Sequence, residues 1–199
     1  MRAFSYVVET DSGFAPNPFW GFCTLATCKP RIRRAAKVGD WVFGSGSVRM
    51  DMHNRIIFAM RVDEIISFEL YNIDPRFEKK KPVLSGTYEE RCGDNVYSLD
   101  DDNVWVQRPC FHCQDDIETD LSGENVLISQ HFWYFGKKAP LVPMEHSQII
   151  KRGRGEASNS IPDSAITGAI TWLEQKYLPG SYGEPFDFNK IGFGKQKPE

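Results

Sequence analysis

Fourteen residues from Arg55 to Phe68, RIIFAMRVDEIISF, are dense in isoleucine and valine. β-branched side chains fit a pleated surface and lose rotamer freedom in a helix. An ordinary strand has about five or six residues, so this run reads as one strand with a bend or as two strand segments. In either form it belongs at the centre of a sheet, and the rest of the chain must cover it.

The neighbouring segments supply more strands. AFSYVVETD alternates Phe4, Tyr6 and Val8 against smaller or polar residues, the period-two pattern of a strand with one buried face. KVGDWVFGSGS starts at a Gly39-Asp40 turn and continues as a short strand that loosens at Gly44 and Gly46, where the backbone bends or is closely approached. NVLISQHFWYFG has strand character, and QIIKRGRGE places a further strand directly before a basic knot at Lys151, Arg152 and Arg154. One helix stands out, PDSAITGAITWLEQKYL. Ile166, Ala169, Ile170, Leu173 and Tyr177 share a face, Pro162 sits near the start, and Pro179-Gly180 stops it. ELYNIDPRFEKKKPVLSG reads as a short helix and surface loop, and residues 93–124 as a long acidic excursion. The expected class is α+β: a β-barrel-like or strongly bent mixed sheet with a packed C-terminal helix and long decorated loops.

With 199 residues, 41% of them hydrophobic, the chain can close one substantial core. A single domain over 1–188 with a flexible tail at 189–199 is expected. The net charge of −3 argues against coating nucleic acid through bulk positive charge, so a polyanion would have to meet a local patch. No segment approaches the roughly 18 apolar residues of a membrane span, and the start MRAFSYVVETDSGF has no export signal, which implies a cytoplasmic protein. In that setting the five cysteines read as reduced thiols, with no structural disulfide.

A local patch exists. Lys29, Arg31, Arg33, Arg34 and Lys37 place five cations within nine residues, with no acid among them. Arginine offers a planar fork matched to phosphate and stacks on bases. The run follows DSGFAPNPFWG, whose glycines and prolines exclude a regular element and make an ordered loop displaying Phe19 and Trp20. Cations beside aromatics are the combination that nucleotide and single-strand sites use, although a solvated surface segment is the alternative. The knot at Lys151, Arg152 and Arg154 would add a second wall if the fold brings it near. In the run Phe132 to Phe135, alternate members face opposite ways: one pair packs inward, and Trp133 or Tyr134 could stack on a base.

Catalytic signals are thin. Cys28 precedes Lys29 and lies near Arg31, and nearby cations favour a thiolate, with His53 or His131 as possible bases. Asp40 could serve acid–base chemistry, although an Asp after Gly is usually a turn residue. Cys110, His112 and Cys113 have the spacing of half a zinc site, but a second pair is missing, so no metal and no cofactor are expected.

These segments also carry a family resemblance. SYVVETDSGFAPNPFWGFCTLATCKPRIRRAAKVGDWVFGSGS, GDNVY, VLISQHFWYFG and RGRGE together resemble the nucleotide modification associated domain family, second type, over roughly Ser5 to Asp187. The resemblance implies work with systems that make or handle modified nucleotides or DNA bases in bacteria and their phages, without deciding between binding and catalysis. The positions it carries over are Asn17, Phe19, Cys28, Lys29, Arg31, Arg33, Arg34, Gly39, Asp40, Arg152 and Arg154. A weaker similarity, in the order of VGDWVFGSGS and RIIFAMRVDEII, is to PUA-like domains, whose barrels hold a base in an aromatic pocket.

The expected function is therefore a nucleic-acid or nucleotide binding module that recognises a modified base in a bacterial or phage modification or defence system. Residues 29 to 37 would contact phosphate, Arg152 and Arg154 would form a second contact, and Phe19, Trp20, Trp133 or Tyr134 would stack on the base. The alternatives are an enzyme acting on a nucleotide or base, with the cations gripping phosphate and Cys28 or Asp40 in the chemistry, and a scaffold whose basic strip meets an acidic protein.

Overall fold

The structure, a computed structural model, describes residues 1–112, 116–153, 155–158 and 160–188. The apolar run resolves into two strands, β4 (Ile56–Arg61) and β5 (Glu64–Ser67), on either side of a corner. Earlier in the chain come β1 (Ala3–Val8), β2 (Cys23–Leu25), the helix α1 (Pro30–Ala35) and β3 (Trp41–Gly46). After β5 follow α2 (Phe68–Ile73), α3 (Tyr88–Arg91), β6 (Tyr97–Leu99), β7 (Trp105–Gln107) and α4 (Ile117–Leu121). The chain continues through β8 (Asn125–Ser129), β9 (Phe132–Tyr134), β10 (Glu156–Ser158), α5 (Asp163–Lys176) and β11 (Gly180–Ser181).

Six strands form one mixed sheet in the order β10-β1-β3-β4-β9-β11, and three form another in the order β2-β8-β5. β1 and β3 run parallel in register from Ala3 opposite Trp41 to Val8 opposite Gly46. The two sheets share a corner, because β4 and β5 are nearly continuous and so are β8 and β9. Asp63 stitches that corner: its Oδ2 accepts the amides of Gln130 at 2.7 Å and His131 at 3.0 Å, and its own amide donates to the Ile128 carbonyl at 2.9 Å. The architecture is mixed α+β. Among the described residues neither large sheet closes into a barrel, since β10 and β11 are edges of one and β2 and β5 of the other.

The glycines of β3 mark a close approach. A Cβ on Gly44 would lie 2.0 Å from the ring of buried Phe58 and 2.9 Å from Val8 Cγ2, and the β3–β4 register shifts between Gly44 and Ser45. α5 lies on the six-stranded sheet through Ile166, Ala169, Ile170 and Leu173, with Trp172 also buried. All four aromatics from Phe132 to Phe135 are buried, so there is no outward pair. Both faces of β9 are covered: Trp133 Nε1 donates to the Tyr177 carbonyl at 3.1 Å, just past α5, while Tyr134 Oη donates to Asp11 at 2.5 Å.

Three expectations need correction. The strand anticipated before the basic knot is a 3-10 turn, Met144–Ile149, which follows Pro143; the Ile149 carbonyl accepts Ser5 Oγ at 2.6 Å, and the strand, β10, comes after the knot. The acidic stretch after Gly93 is not only a surface excursion. Asp94, Asn95, Val96, Tyr97 and Asp120 are buried, and Val96 and Tyr97 join Phe14, Phe68, Tyr71 and Phe77 in a second apolar cluster beneath β2, β5 and β8. The Lys run likewise turns inward at Lys80, whose ammonium donates to Asn17 Oδ1 and to the carbonyls of Asn17 and Phe22. The tail beyond Phe188 lies outside the described residues.

Candidate functional site

The basic run after Cys28 folds as the short helix α1, opened by Pro30. Helical spacing sends its cations in different directions. Arg33 is fully buried, where its guanidinium donates to the carbonyls of Cys28 at 2.7 Å, Asn125 at 2.9 Å and Asp120. Arg34 is exposed, donates to the Ser122 carbonyl and pairs with Glu124 at 3.2 Å. Lys29 Nζ lies 4.7 Å from the centroid of the Tyr6 ring. The side chains of Arg31 and Lys37 are exposed, and among the described residues they make no ion pair. The run holds no acid of its own, yet the fold supplies Asp120 and Glu124 from another part of the chain.

Asn17, Trp133 and Tyr134 are also interior. Asn17 Nδ2 donates to the Cys92 carbonyl at 2.8 Å while its Oδ1 accepts Lys80. None of these three can stack on or grip a ligand at the surface. On the aromatic loop Trp20 is exposed and Phe19 half-buried. They line an open cleft of about 490 Å³ with Pro18, Phe132, Gln130 and Ser181, and Lys79 Nζ lies 5.2 Å from the Trp20 ring.

A different cleft gathers cations. At the ends of the parallel strands β1 and β3, a cleft of about 430 Å³ has Val7, Val48 and Ile150 as apolar walls and Arg49, His53, Lys151 and Arg152 as polar ones. Glu9 and Asn54 also line it, so among the described residues three formal cations face one carboxylate. Arg49, His53 and Arg152 are exposed. Arg49 Nη1 donates to the Thr10 hydroxyl at 3.4 Å, while Lys151 Nζ donates to the Arg152 carbonyl at 2.6 Å. No residue of the Lys29–Lys37 run lines this cleft. Arg2, at the other end of β1, donates to Asp40 and to the Ala35 carbonyl, which places the C-terminal end of α1 there. Of the two basic segments, this cleft is thus lined by the second alone among the described residues. Arg154 lies outside the described residues.

Arg49 and His53 escape a sequence reading that weighs charge runs, because they are spaced through SVRMDMHNR. The available signal was the glycine-bounded strand end just before them: Ser47 caps the 3-10 turn Val48–Met50 and turns Arg49 outward.

A family model for nucleotide modification associated domain 2 matches residues 1–192. The chain belongs to that family. No curated protein and no solved structure matches it. Membership relates this nucleotide modification associated domain to modification systems and leaves the activity to be argued from its residues.

The two catalytic candidates in the domain are both constrained. The Asp40 carboxylate is spent on its own turn and on the N-terminus: Oδ2 accepts Arg2 Nη2 at 2.6 Å, Arg2 Nε at 3.0 Å and the Lys37 amide at 2.9 Å. The Cys28 thiol is pushed up to about 11 by burial and then by the charge of Asp120, against the smaller pull of Lys29. An isolated thiol in that state is a poor nucleophile at neutral pH. Neither proposed base is beside it. His53 lines the basic cleft, and His131 sits edge-on to Trp41 and Trp133. In the suspected half zinc site, Cys110 Sγ faces Gln107 Nε2 at 3.1 Å, while His112 Nε2 turns to Asp120 at 2.9 Å. Cys113 lies outside the described residues. Cys23, Cys28, Cys92 and Cys110 are free thiols, and among the described residues no helix is long and apolar enough to cross a membrane.

Proposed function

We propose that this chain is a nucleic-acid binding module that recognises a modified base within a bacterial or phage DNA-modification or defence system. The observation that carries the reading is the cleft in which Arg49, Lys151 and Arg152 stand beside the apolar side chains of Val7, Val48 and Ile150. Guanidinium forks match phosphate oxygens in two bonds at once, and an ammonium adds a point charge. The base goes to the other cleft, where Phe19 and Trp20 offer ring faces and Lys79 stands over Trp20 as a nearby phosphate partner.

The two clefts share no lining residue. The cation-lined cleft lies at the Gly46 end of β3 and the aromatic cleft beside Phe132, which pairs with Met60 at the other end of β4, so a ligand that meets both must be longer than a mononucleotide, and this reading takes an oligonucleotide as ligand. A PUA-like origin for the bent sheets belongs to the same proposal, and the corner held by Asp63 supports the bend it requires.

The test is a binding titration of the full chain against plain and base-modified oligonucleotides, single- and double-stranded, and against free nucleotides, at low and moderate salt. The expected result is a modified strand bound more than tenfold tighter than its plain counterpart, about 1.4 kcal/mol, at both salts. Absent binding, or salt-driven binding with no base preference, overturns base recognition.

A further inference from the structure

Away from both clefts, three side chains of different chemistry converge. One ligand atom each of Cys28, His112 and Asp120 lies within 4.8 Å of the other two. They arrive from separate segments: the loop before α1, the stretch after β7, and α4. We propose that Cys28, His112 and Asp120 form a binding site for a zinc-class divalent cation.

The donor set points to that class. Sulfur, imidazole nitrogen and carboxylate oxygen together suit a borderline-soft ion, whereas calcium and magnesium select oxygen alone. Around a tetrahedral zinc, with bonds of about 2.0 Å to nitrogen and oxygen and 2.3 Å to sulfur, neighbouring ligand atoms stand roughly 3.3–3.5 Å apart. The group is thus within about an ångström or so of closing on an ion. His112 and Asp120 are already 2.9 Å apart, in a hydrogen bond that a shared ion would replace.

The surroundings hold the ligands in place as an outer shell does at a metal site. Asp120 is 1% exposed; its Oδ2 accepts Tyr97 Oη at 2.8 Å and its Oδ1 accepts the Cys28 amide at 2.5 Å. His112 rests on Phe14, with ring centroids 4.9 Å apart. Cys28 and Lys29 both adopt left-handed backbone, at φ 55° and 43°. Consecutive non-glycine residues in that region are strained, and such strain collects at functional positions. The opposing charge comes from Arg33, 3.9 Å from Asp120 Oδ1, and from Lys29 next to Cys28. Thiolate formation on binding adds a negative charge that offsets it, since a coordinating thiol gives up its proton. Three protein ligands leave a tetrahedral ion one position for water or substrate. The site also differs from the Cys110–Cys113 pairing that spacing suggests, because Cys28 takes the place of a second neighbouring thiol.

The full chain, reduced and stripped with a chelator, is titrated with Zn²⁺ and separately with Co²⁺, whose thiolate bond gives a near-ultraviolet charge-transfer band. One equivalent of zinc and that band are expected. Cys28→Ser should remove the band and weaken zinc binding by about a hundredfold or more, and His112→Gln should weaken it comparably. Cys110→Ser should retain both, with circular dichroism confirming that each variant folds. A wild-type chain that takes up no zinc overturns the proposal whatever the variants do. So does a band that survives in Cys28→Ser or disappears in Cys110→Ser.

Discussion

Lys80 donates its ammonium to Asn17 Oδ1 at 2.6 Å, and both residues are fully buried. Two backbone carbonyls, of Asn17 and Phe22, complete its three donor positions. The contact ties the aromatic loop to the second apolar cluster, so the surface that displays Phe19 and Trp20 depends on a charge held inside.

That charge has a cost readable by titration. Burial lowers Lys80 from 10.5 to about 8, against the pull of Asp94. Between those values the unfolded chain holds a proton that the folded chain has released, so stability rises with pH across the window and is lost as pH falls through 8. Denaturant unfolding at pH 8 to 10.5 should show wild type gaining on the order of 2–3 kcal/mol relative to Lys80→Met. Parallel curves for the two proteins would refute the assignment.

Arg33 is structural. Its guanidinium satisfies three carbonyls, of Cys28, Asn125 and Asp120, and lies over the Phe68 ring at 5.4 Å. Arg33→Met should cost about 3–5 kcal/mol, the loss expected when one partner of a buried charge network is removed. Arg33→Lys should recover little, because the three acceptors are set around the Nε, Nη1 and Nη2 positions of a planar fork, whereas an ammonium gathers its donors on a single atom. Arg31→Ala should stay within about 0.5 kcal/mol of wild type. Thermal melts of the three variants compare these directly; equal losses at Arg31 and Arg33 would contradict the burial of one and the exposure of the other.

The contrast between those neighbours explains what could be read from the chain alone. Strand character around Ile56–Arg61 and Glu64–Ser67, the break between them, and the buried stripe Ile166, Ala169, Ile170 and Leu173 were legible because hydrophobic periodicity is local. Lys80, Asp94 and Asp120 were misread as surface because a polar residue goes inside only when a distant partner meets it, and those partners come from the rest of the fold. The cations of the Lys29–Lys37 run were visible as a group, but whether each faced solvent depended on Asp120, Ser122 and Glu124, nearly ninety residues away. Similarly, Arg49 and Arg152 could be joined in one cleft only once β1 and β3 were known to run parallel.

Gly44 makes a steric prediction. A methyl group there would meet the Phe58 ring at 2.0 and 2.4 Å, and Phe58 has no exposed surface into which to move. Gly44→Ala should lower stability by about 1–3 kcal/mol, as overpacking does in a closed core. Pairing it with Phe58→Leu should recover part of that loss, since the clash is with the ring edge. A double variant no better than the sum of the single ones would place the strain elsewhere.

The basic cleft predicts a salt signature. Arg49 and Arg152 are exposed and come from loops 103 residues apart in sequence, so replacing both with alanine removes charge without opening the core. If each contacts one phosphate, the slope of log K against log salt should become shallower by about 0.7 per contact on a single strand, roughly 1.4 for the double variant, or about 1.8 on a duplex. Plain and modified oligonucleotides should weaken by similar factors, because phosphate contacts position a strand without reading its bases. Trp20→Ala should do the reverse, reducing discrimination between modified and plain strands while leaving the slope unchanged. Fluorescence-anisotropy titrations of the variants at three or more salt concentrations separate these effects. An unaltered slope in the double arginine variant would remove the cleft from the binding surface.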